Sequence, residues 1–204
     1  MGSEMCIRDS IYGDNTDVIG FGKIFNLINI KKTKSVLLIG AGGASRAILY
    51  FLNKKYIENI DIFAKSFRRR EGLSKKFKFK NFTNKPTLLK KKYDLIINAS
   101  NAGMSQGNKI NRNILRLVKK TKGVIDIVYN PLETDLLKEA EKHNIKSIGG
   151  LIMLVEQAKP SFEIWSKKNI EIDDKIYRSL ISNCLLYTSP SPRDLSTSRM
   201  PSSA

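Results

Sequence analysis

The chain has almost none of the residues that build metal centres or disulfide frameworks. Its 204 residues include two cysteines, Cys6 and Cys184, and one histidine, His143. Two thiols so far apart in sequence make neither a disulfide scaffold nor a metal site, and one imidazole excludes a His-rich centre or a mechanism that needs two histidines of this chain. No apolar run approaches the ~20 residues of a membrane-spanning helix. No charged, apolar and small-residue succession of a secretory leader begins the sequence. Acidic residues are scarce as well: 19 Asp and Glu face 36 Lys and Arg, for a net charge of +17. Such an excess raises nucleic acid as a partner. The cations, however, are mostly lysine spread along the chain, without interleaved aromatics or a nucleic-acid motif, and they read as compositional bias. These absences predict a soluble, cytoplasmic α/β protein with no metal, no membrane contact and no nucleic-acid partner. Its 41% apolar content is enough for one substantial core.

What the sequence does contain is organised around residues 35–48, Ser-Val-Leu-Leu-Ile-Gly-Ala-Gly-Gly-Ala-Ser-Arg-Ala-Ile. An apolar run of strand length meets a glycine-rich turn that opens at once into a helical pattern. A buried strand ending in Gly-x-Gly aims successive N–H groups and a helix N-terminus at one point, which suits a pyrophosphate. Gly40 permits the tight turn, Gly42 lets a phosphate approach the backbone, and small Gly43, Ala44 and Ser45 allow close packing of helix on strand. Ser45 stands where Gly or Ala is usual, and an ordinary glycine-rich strand–helix turn is the competing reading.

In chain order, residues 1–10 show no periodicity, and residues 184–204 are rich in Ser, Pro and Arg. Both ends resemble translated adapter sequence, so both are expected to be non-native extensions, the second disordered. Thr16 or Asp17 is expected to cap a helix carrying Ile19, Phe21, Ile24, Phe25, Leu27 and Ile28. Further strands are predicted over 57–64, 93–98, 123–129 and 146–148. A helix is predicted over 135–143 behind a Thr134 cap, a long one over 151–166 interrupted or kinked by Pro160, and a last one over 173–182. The span 65–92 carries twelve Lys or Arg against one acid, Glu71, and reads mostly as solvated helix face and connection. Strands alternating with helices imply a doubly wound, mostly parallel sheet of Rossmann-like type with C-terminal helices.

In such a sheet, ligands collect beyond the carboxyl ends of the strands. Those ends are predicted to bring together Gly40 to Ser45, Ala64-Lys65-Ser66-Phe67-Arg68-Arg69, Asn98 to Met104, and Tyr129-Asn130-Pro131. An NAD site places Asp or Glu near the end of the second strand, roughly 20 residues past the glycines, to hold ribose hydroxyls. Here that place holds Lys65, Ser66 and Arg69. A cation and a hydroxyl bind a 2′-phosphate that a carboxylate repels, so the spacing favours NADP over NAD. The bland alternative is that Lys65 and Arg69 continue the basic run.

Five motifs then occur in order: Gly13-x-Asn15-Thr16-Asp17-x-x-Gly20, Gly40-Ala-Gly-Gly-Ala-Ser45, Asn98-Ala-Ser-x-x-Gly103-Met104, Tyr129-Asn130-Pro131-x-x-Thr134, and Gly150-x-x-Met153-Leu154-x-x-Gln157-Ala158, with Phe162 and Trp165 beyond. Over residues 11–182 the chain resembles shikimate dehydrogenases. The resemblance implies an NADP-dependent oxidoreductase of chorismate and aromatic amino-acid biosynthesis, transferring hydride between shikimate and 3-dehydroshikimate. It implies residues 11–30 as a remnant of a substrate domain with its hinge helix, 31–150 as an NADP-binding domain, and 151–183 as helices packing back toward the substrate domain. A homodimer is left open.

By motif, Asp17 matches the carboxylate that works with a lysine at the reacting hydroxyl. Thr16, Tyr129 and Gln157 match substrate-cleft positions. Gly40, Ala41, Gly42, Gly43, Ala44 and Ser45 match the pyrophosphate loop, and Ala64, Lys65, Ser66, Arg68 and Arg69 the adenosine-phosphate loop. Ile127 and Gly150 match backbone positions near the nicotinamide. Two departures stand out. Ala64-Lys65-Ser66 replaces a common Asn-Arg-Thr, and lysine lacks arginine's planar stack on adenine. The family's catalytic lysine would precede Ile11, where residues 1–10 do not match it. The expectation is therefore a chain that binds NADP and turns shikimate over negligibly. A non-catalytic NADP-binding module and a quinate/shikimate dehydrogenase of broader specificity are the alternatives.

Overall fold

The computed structural model describes residues 14–90, 92–173, 175–179 and 182. Both terminal extensions, both cysteines and Gly13 of the first motif lie outside the described residues. So do parts of the predicted last helix, of which residues 175–179 are helical.

The elements run α1 (Thr16–Ile28), β1 (Val36–Ile39), α2 (Gly43–Lys54), β2 (Ile60–Phe63), α3 (Arg68–Ser74), β3 (Asn81–Thr83), β4 (Leu95–Asn98), α4 (Arg112–Val118), β5 (Gly123–Asp126), α5 (Asp135–Lys142), β6 (Lys146–Gly149) and α6 (Gly150–Ser166). The strands form one parallel six-stranded sheet in the order β3-β2-β1-β4-β5-β6. Alternation along β1 divides the core between two faces, because successive side chains of a strand point to opposite sides. Val36 and Leu38 join Phe21, Ile24, Ile48, Leu52 and Met153 on one face. Leu37 and Ile39 join Ile114, Val118, Leu136 and Ala140 on the other.

Register is what positions a site. Ile39 pairs with Phe63 and Asn98, Asn98 with Asp126, and Asp126 with Gly149. Five strands therefore end level, and the chain leaves the sheet at Gly40, Ala64, Ala99, Ile127 and Gly150 along one edge. The order also reverses at β1: the chain proceeds to β2 on one side and returns to β4 on the other, which is the crevice where ligands of open α/β sheets bind.

Several expectations need correction. The cap of α1 is Asn15, whose side-chain oxygen accepts from the Asp17 N–H at 3.0 Å. The strand expected over 123–129 stops at Asp126, because the Val128 N–H turns back to donate to Asp126 Oδ1 at 3.1 Å. The basic span 65–92 hides the edge strand β3, docked by Phe82 against Phe67 and Phe79. Helix α4 has no counterpart among the expected elements, although Asn111 caps it and Ile114 and Val118 bury its inner face. Helix α6 passes Pro160 without a break. The ring removes one N–H donor and crowds the carbonyl one turn back, at Glu156, yet the helix continues to Ser166.

The connection into β1 is tied down by Asp94, which accepts from the Lys34 and Ser35 amides at 2.9 and 3.0 Å and pairs with Lys122 Nζ at 2.8 Å. Burial pushes its carboxyl up, but the Lys122 ammonium and the two amides outweigh burial and hold it down at about 2. A depressed folded value stabilises the protein above the ordinary 3.8 and loses that contribution as pH falls toward 2. Asp94→Asn is expected to be less stable by about 2 kcal/mol at neutral pH. In urea unfolding across pH, the gap between wild type and variant should close below pH 3.8. A gap independent of pH would refute the assignment.

Candidate functional site

At the end of β1 the backbone turns at Gly40 with φ +109°, and a Cβ there would stand 2.5 Å from the Ala99 carbonyl oxygen. The Gly40 N–H donates to Phe63 O at 2.8 Å, while the Ala99 N–H donates to Ile39 O at 2.7 Å. The β1 exit is thus sewn to both neighbouring strands. Past it, the Gly42 N–H donates to Ser45 Oγ at 3.3 Å. Ser45 is fully buried, so the small third position of the fingerprint is kept and gains a hydroxyl that holds the loop. Gly43 differs from its expected role. A Cβ there would meet nothing within 4 Å, so its smallness faces open space rather than the strand. The N–H groups of Gly43 and Ala44, at the positive end of α2, find no acceptor among the described residues.

Beside this turn lies a cleft of about 730 Å³, walled by Gly40 to Gly42, by Ala64, Lys65, Ser66 and Arg69 after β2, and by Ala99 to Ala102 with Asn108 to Asn111 after β4. Ile39, Phe63, Ile110 and Ile114 form its apolar floor. Three cations line it, Lys65, Arg69 and Lys109, and no carboxylate does. None of the three is paired with an acid among the described residues. An Arg69 guanidinium nitrogen lies 3.8 Å from where a Gly42 Cβ would be, so this side chain overhangs the glycine turn. Arg68 is exposed at the start of α3, outside the lining.

The remaining candidates belong to a second region. Helices α1 and α6 run antiparallel in close contact: Thr16 Oγ1 meets Ser161 Oγ at 3.0 Å, and a Cβ on Gly20 would stand 3.0 Å from Gln157 Cβ. That seam holds Thr16 and Gln157, with Asp17 in the same first turn of α1. The Asp17 carboxylate and the Gln157 amide, both partly exposed, have no hydrogen-bond partner among the described residues. Tyr129 is exposed after β5, with no hydrogen bond to either. Gly150 donates its N–H to Val128 O at 3.2 Å, and a side chain there would overlap the Ile127 carbonyl. Of the four loops expected to converge, those after β1, β2 and β4 wall the cleft. The fourth joins the β4 loop through Ser105 and Asn130.

Beneath these loops sits a polar cluster that the sequence pattern alone did not single out. Asp126 Oδ1 accepts from Asn98 Nδ2 at 2.9 Å and from the Val128 N–H, while Oδ2 accepts from the Thr134 hydroxyl at 2.6 Å. Asn98 also donates to Ala102 O and accepts from the Ser100 hydroxyl at 2.7 Å. Burial pushes the Asp126 carboxyl up, against the hydrogen bonds of Thr134, Val128 and Asn98 that favour its charge. All four side chains fall within or next to the recognised motifs, but only their meeting in space gives them a common role, which is to set the loops after β4 and β5.

A doubly wound parallel sheet, with a glycine-rich strand–helix turn opening on a cationic cleft at its switch point, defines a Rossmann-like α/β domain. The profile of a family described as shikimate / quinate 5-dehydrogenase matches residues 22–145. The chain belongs to this family. It is 37% identical over 179 residues to a shikimate dehydrogenase (NADP(+)) of Methanococcus maripaludis strain C7, covering 83% of this chain and 63% of that protein. Its fold is similar to that of a shikimate dehydrogenase solved in complex with NADP+, at 32% identity and a TM-score of 0.67, over 84% of this chain and 62% of that one. It is also similar to a quinate dehydrogenase from Corynebacterium glutamicum solved with NAD, at 26% identity and a TM-score of 0.69, over 84% and 63%. The chain thus spans less than two thirds of the length of these relatives.

Proposed function

We propose that this chain forms the NADP-binding part, and some of the substrate cleft, of a cytoplasmic shikimate dehydrogenase that interconverts shikimate and 3-dehydroshikimate. The observation that carries this reading is the cleft beside the glycine turn, which holds three cations with no acid partner among the described residues and no carboxylate in its lining. Its donors fit an NADP phosphate set. The open side of Gly43 and the free amides of Gly43 and Ala44 suit the pyrophosphate. Lys65, Ser66 and Arg69 suit the 2′-phosphate. The cofactor, when bound, supplies the hydride acceptor. The chain's own residues bind and orient: Ile127 and Gly150 bring backbone to the nicotinamide side, and Thr16, Tyr129 and Gln157 offer hydroxyl and amide groups to substrate hydroxyls. Asp17 would steady the lysine that exchanges a proton with the reacting oxygen, since a carboxylate at hydrogen-bond range holds an amine in position.

An NAD-dependent quinate dehydrogenase is the competing reading from the same family. It calls for a carboxylate on the ribose hydroxyls at the end of β2, and none lines this cleft. Titration of the purified chain is expected to give NADP+ at least about tenfold tighter binding than NAD+. Equal or tighter binding of NAD+ would overturn the cofactor assignment. Turnover of shikimate against quinate by the full-length enzyme, with its catalytic lysine, then tests the substrate.

A further inference from the structure

We propose that Lys109 is a cofactor-specificity residue, contacting the 2′-phosphate of the dinucleotide from the wall of the cleft opposite Lys65 and Arg69. The inference rests on the dinucleotide reading above and extends it to a residue outside every motif. Nothing in the local sequence singles Lys109 out. It follows a loop of small residues and is one lysine among many. Topology is what distinguishes it. In the sheet β1 lies between β2 and β4, so the loops that follow β2 and β4 stand on opposite sides of the glycine turn. Lys65 and Arg69 come from the first loop and Lys109 from the second, and all three line one cavity.

The loop presents Lys109 on a fixed wall. Its predecessor, Asn108, accepts the Gly103 N–H at 2.8 Å, and its successor, Ile110, is buried in the core beside Ile114. Gly103 at φ +92° and Gly107 packed against the Asn101 carbonyl allow the tight course that leads there. The ammonium is exposed and meets no acid among the described residues. Three cations around one cleft without an anion repel one another. A phosphate monoester carries a charge of roughly −2 near neutral pH and offers three acceptor oxygens, enough to engage cations from both walls at once.

The test is binding of NADP+, NAD+, 2′,5′-ADP and 5′-ADP to wild type and to Lys109→Ala and Lys109→Arg. Lys109→Ala is expected to weaken NADP+ and 2′,5′-ADP about tenfold, leaving NAD+, 5′-ADP and the melting temperature unchanged. Lys109→Arg should restore binding. Unchanged NADP+ affinity in the alanine variant of a wild type that prefers NADP+ overturns the role of Lys109 and leaves the function standing. Equal losses for NADP+ and NAD+ also overturn it, moving the contact to the pyrophosphate. A wild type that does not discriminate the two dinucleotides overturns the cofactor reading itself.

Discussion

Replacing Asp126 with alanine is expected to lower the unfolding free energy by about 3–5 kcal/mol, because several buried donors lose their acceptor together. The Asn98 amide, the Val128 N–H and the Thr134 hydroxyl all point at this one carboxylate, and Asp126, Asn98 and Thr134 are almost fully buried. Buried this deeply, the donors have no bulk solvent beside them to replace the lost partner. Thr134 also caps α5, accepting the Leu137 N–H while donating to Asp126, so the cap loses its orientation too. Asp126→Asn should cost less. It keeps an acceptor for Asn98 and Val128 and removes a charge whose burial opposes it. Urea unfolding of both variants measures the difference. Dinucleotide binding should weaken in both, since Asn98 and Asp126 set the loops after β4 and β5. An alanine variant as stable as wild type would show that the cluster is ornamental.

Gly40→Val is expected to abolish dinucleotide binding and to destabilise the fold by about 3 kcal/mol or more, from backbone strain and overpacking. The position combines a φ of +109° with a Cβ site 2.5 Å from the Ala99 oxygen, and that oxygen belongs to main chain that cannot swing aside. Relief requires the β1 exit to part from the β4 exit, which opens the cleft between them. Gly43→Ala is the matched control. Its Cβ enters open space at the start of α2, so stability should stay within about 1 kcal/mol of wild type. Thermal unfolding separates the two, whereas NADP+ binding weakens in both, because the open side of Gly43 is where the pyrophosphate is placed. Comparable stability of the two variants would refute the distinction between a strained glycine and an open one.

The alternation of apolar strands with helical patterns carried the doubly wound sheet, because an apolar run bounded by turns leaves little choice but a strand buried on both faces. The turn at Gly40 and the reversed charge at Lys65 to Arg69 were legible for a similar reason. Each is a local succession whose chemistry does not depend on distant residues. The misses share the opposite property. Strand β3 lies in a run of lysines and is held by Phe67, Phe79 and Phe82 meeting across space, and α4 is a short element that buries only Ile114 and Val118. The early end of β5 is decided by one hydrogen bond from Val128 to the Asp126 side chain rather than by strand propensity.

For the site the division is sharper. The sequence by itself determined the strand–turn–helix at Gly40 to Ser45, the lack of a carboxylate over residues 64–69 at the end of β2, and the pairing of Asp17 and Gln157 with the same set of motifs. Tertiary structure alone decided which loops share a wall, that Gly43 faces open space, that Arg69 overhangs the glycine turn, and that Lys109 enters the cleft from the far side. It also gathered Asn98, Asp126 and Thr134 into one buried cluster. The physical reason is that the hydrogen bonds of a turn and the burial of a strand are short-range along the chain. A cleft is instead made by the sheet's order, which sets β2 and β4 on either side of β1 and so brings residues 65, 69 and 109 around one space.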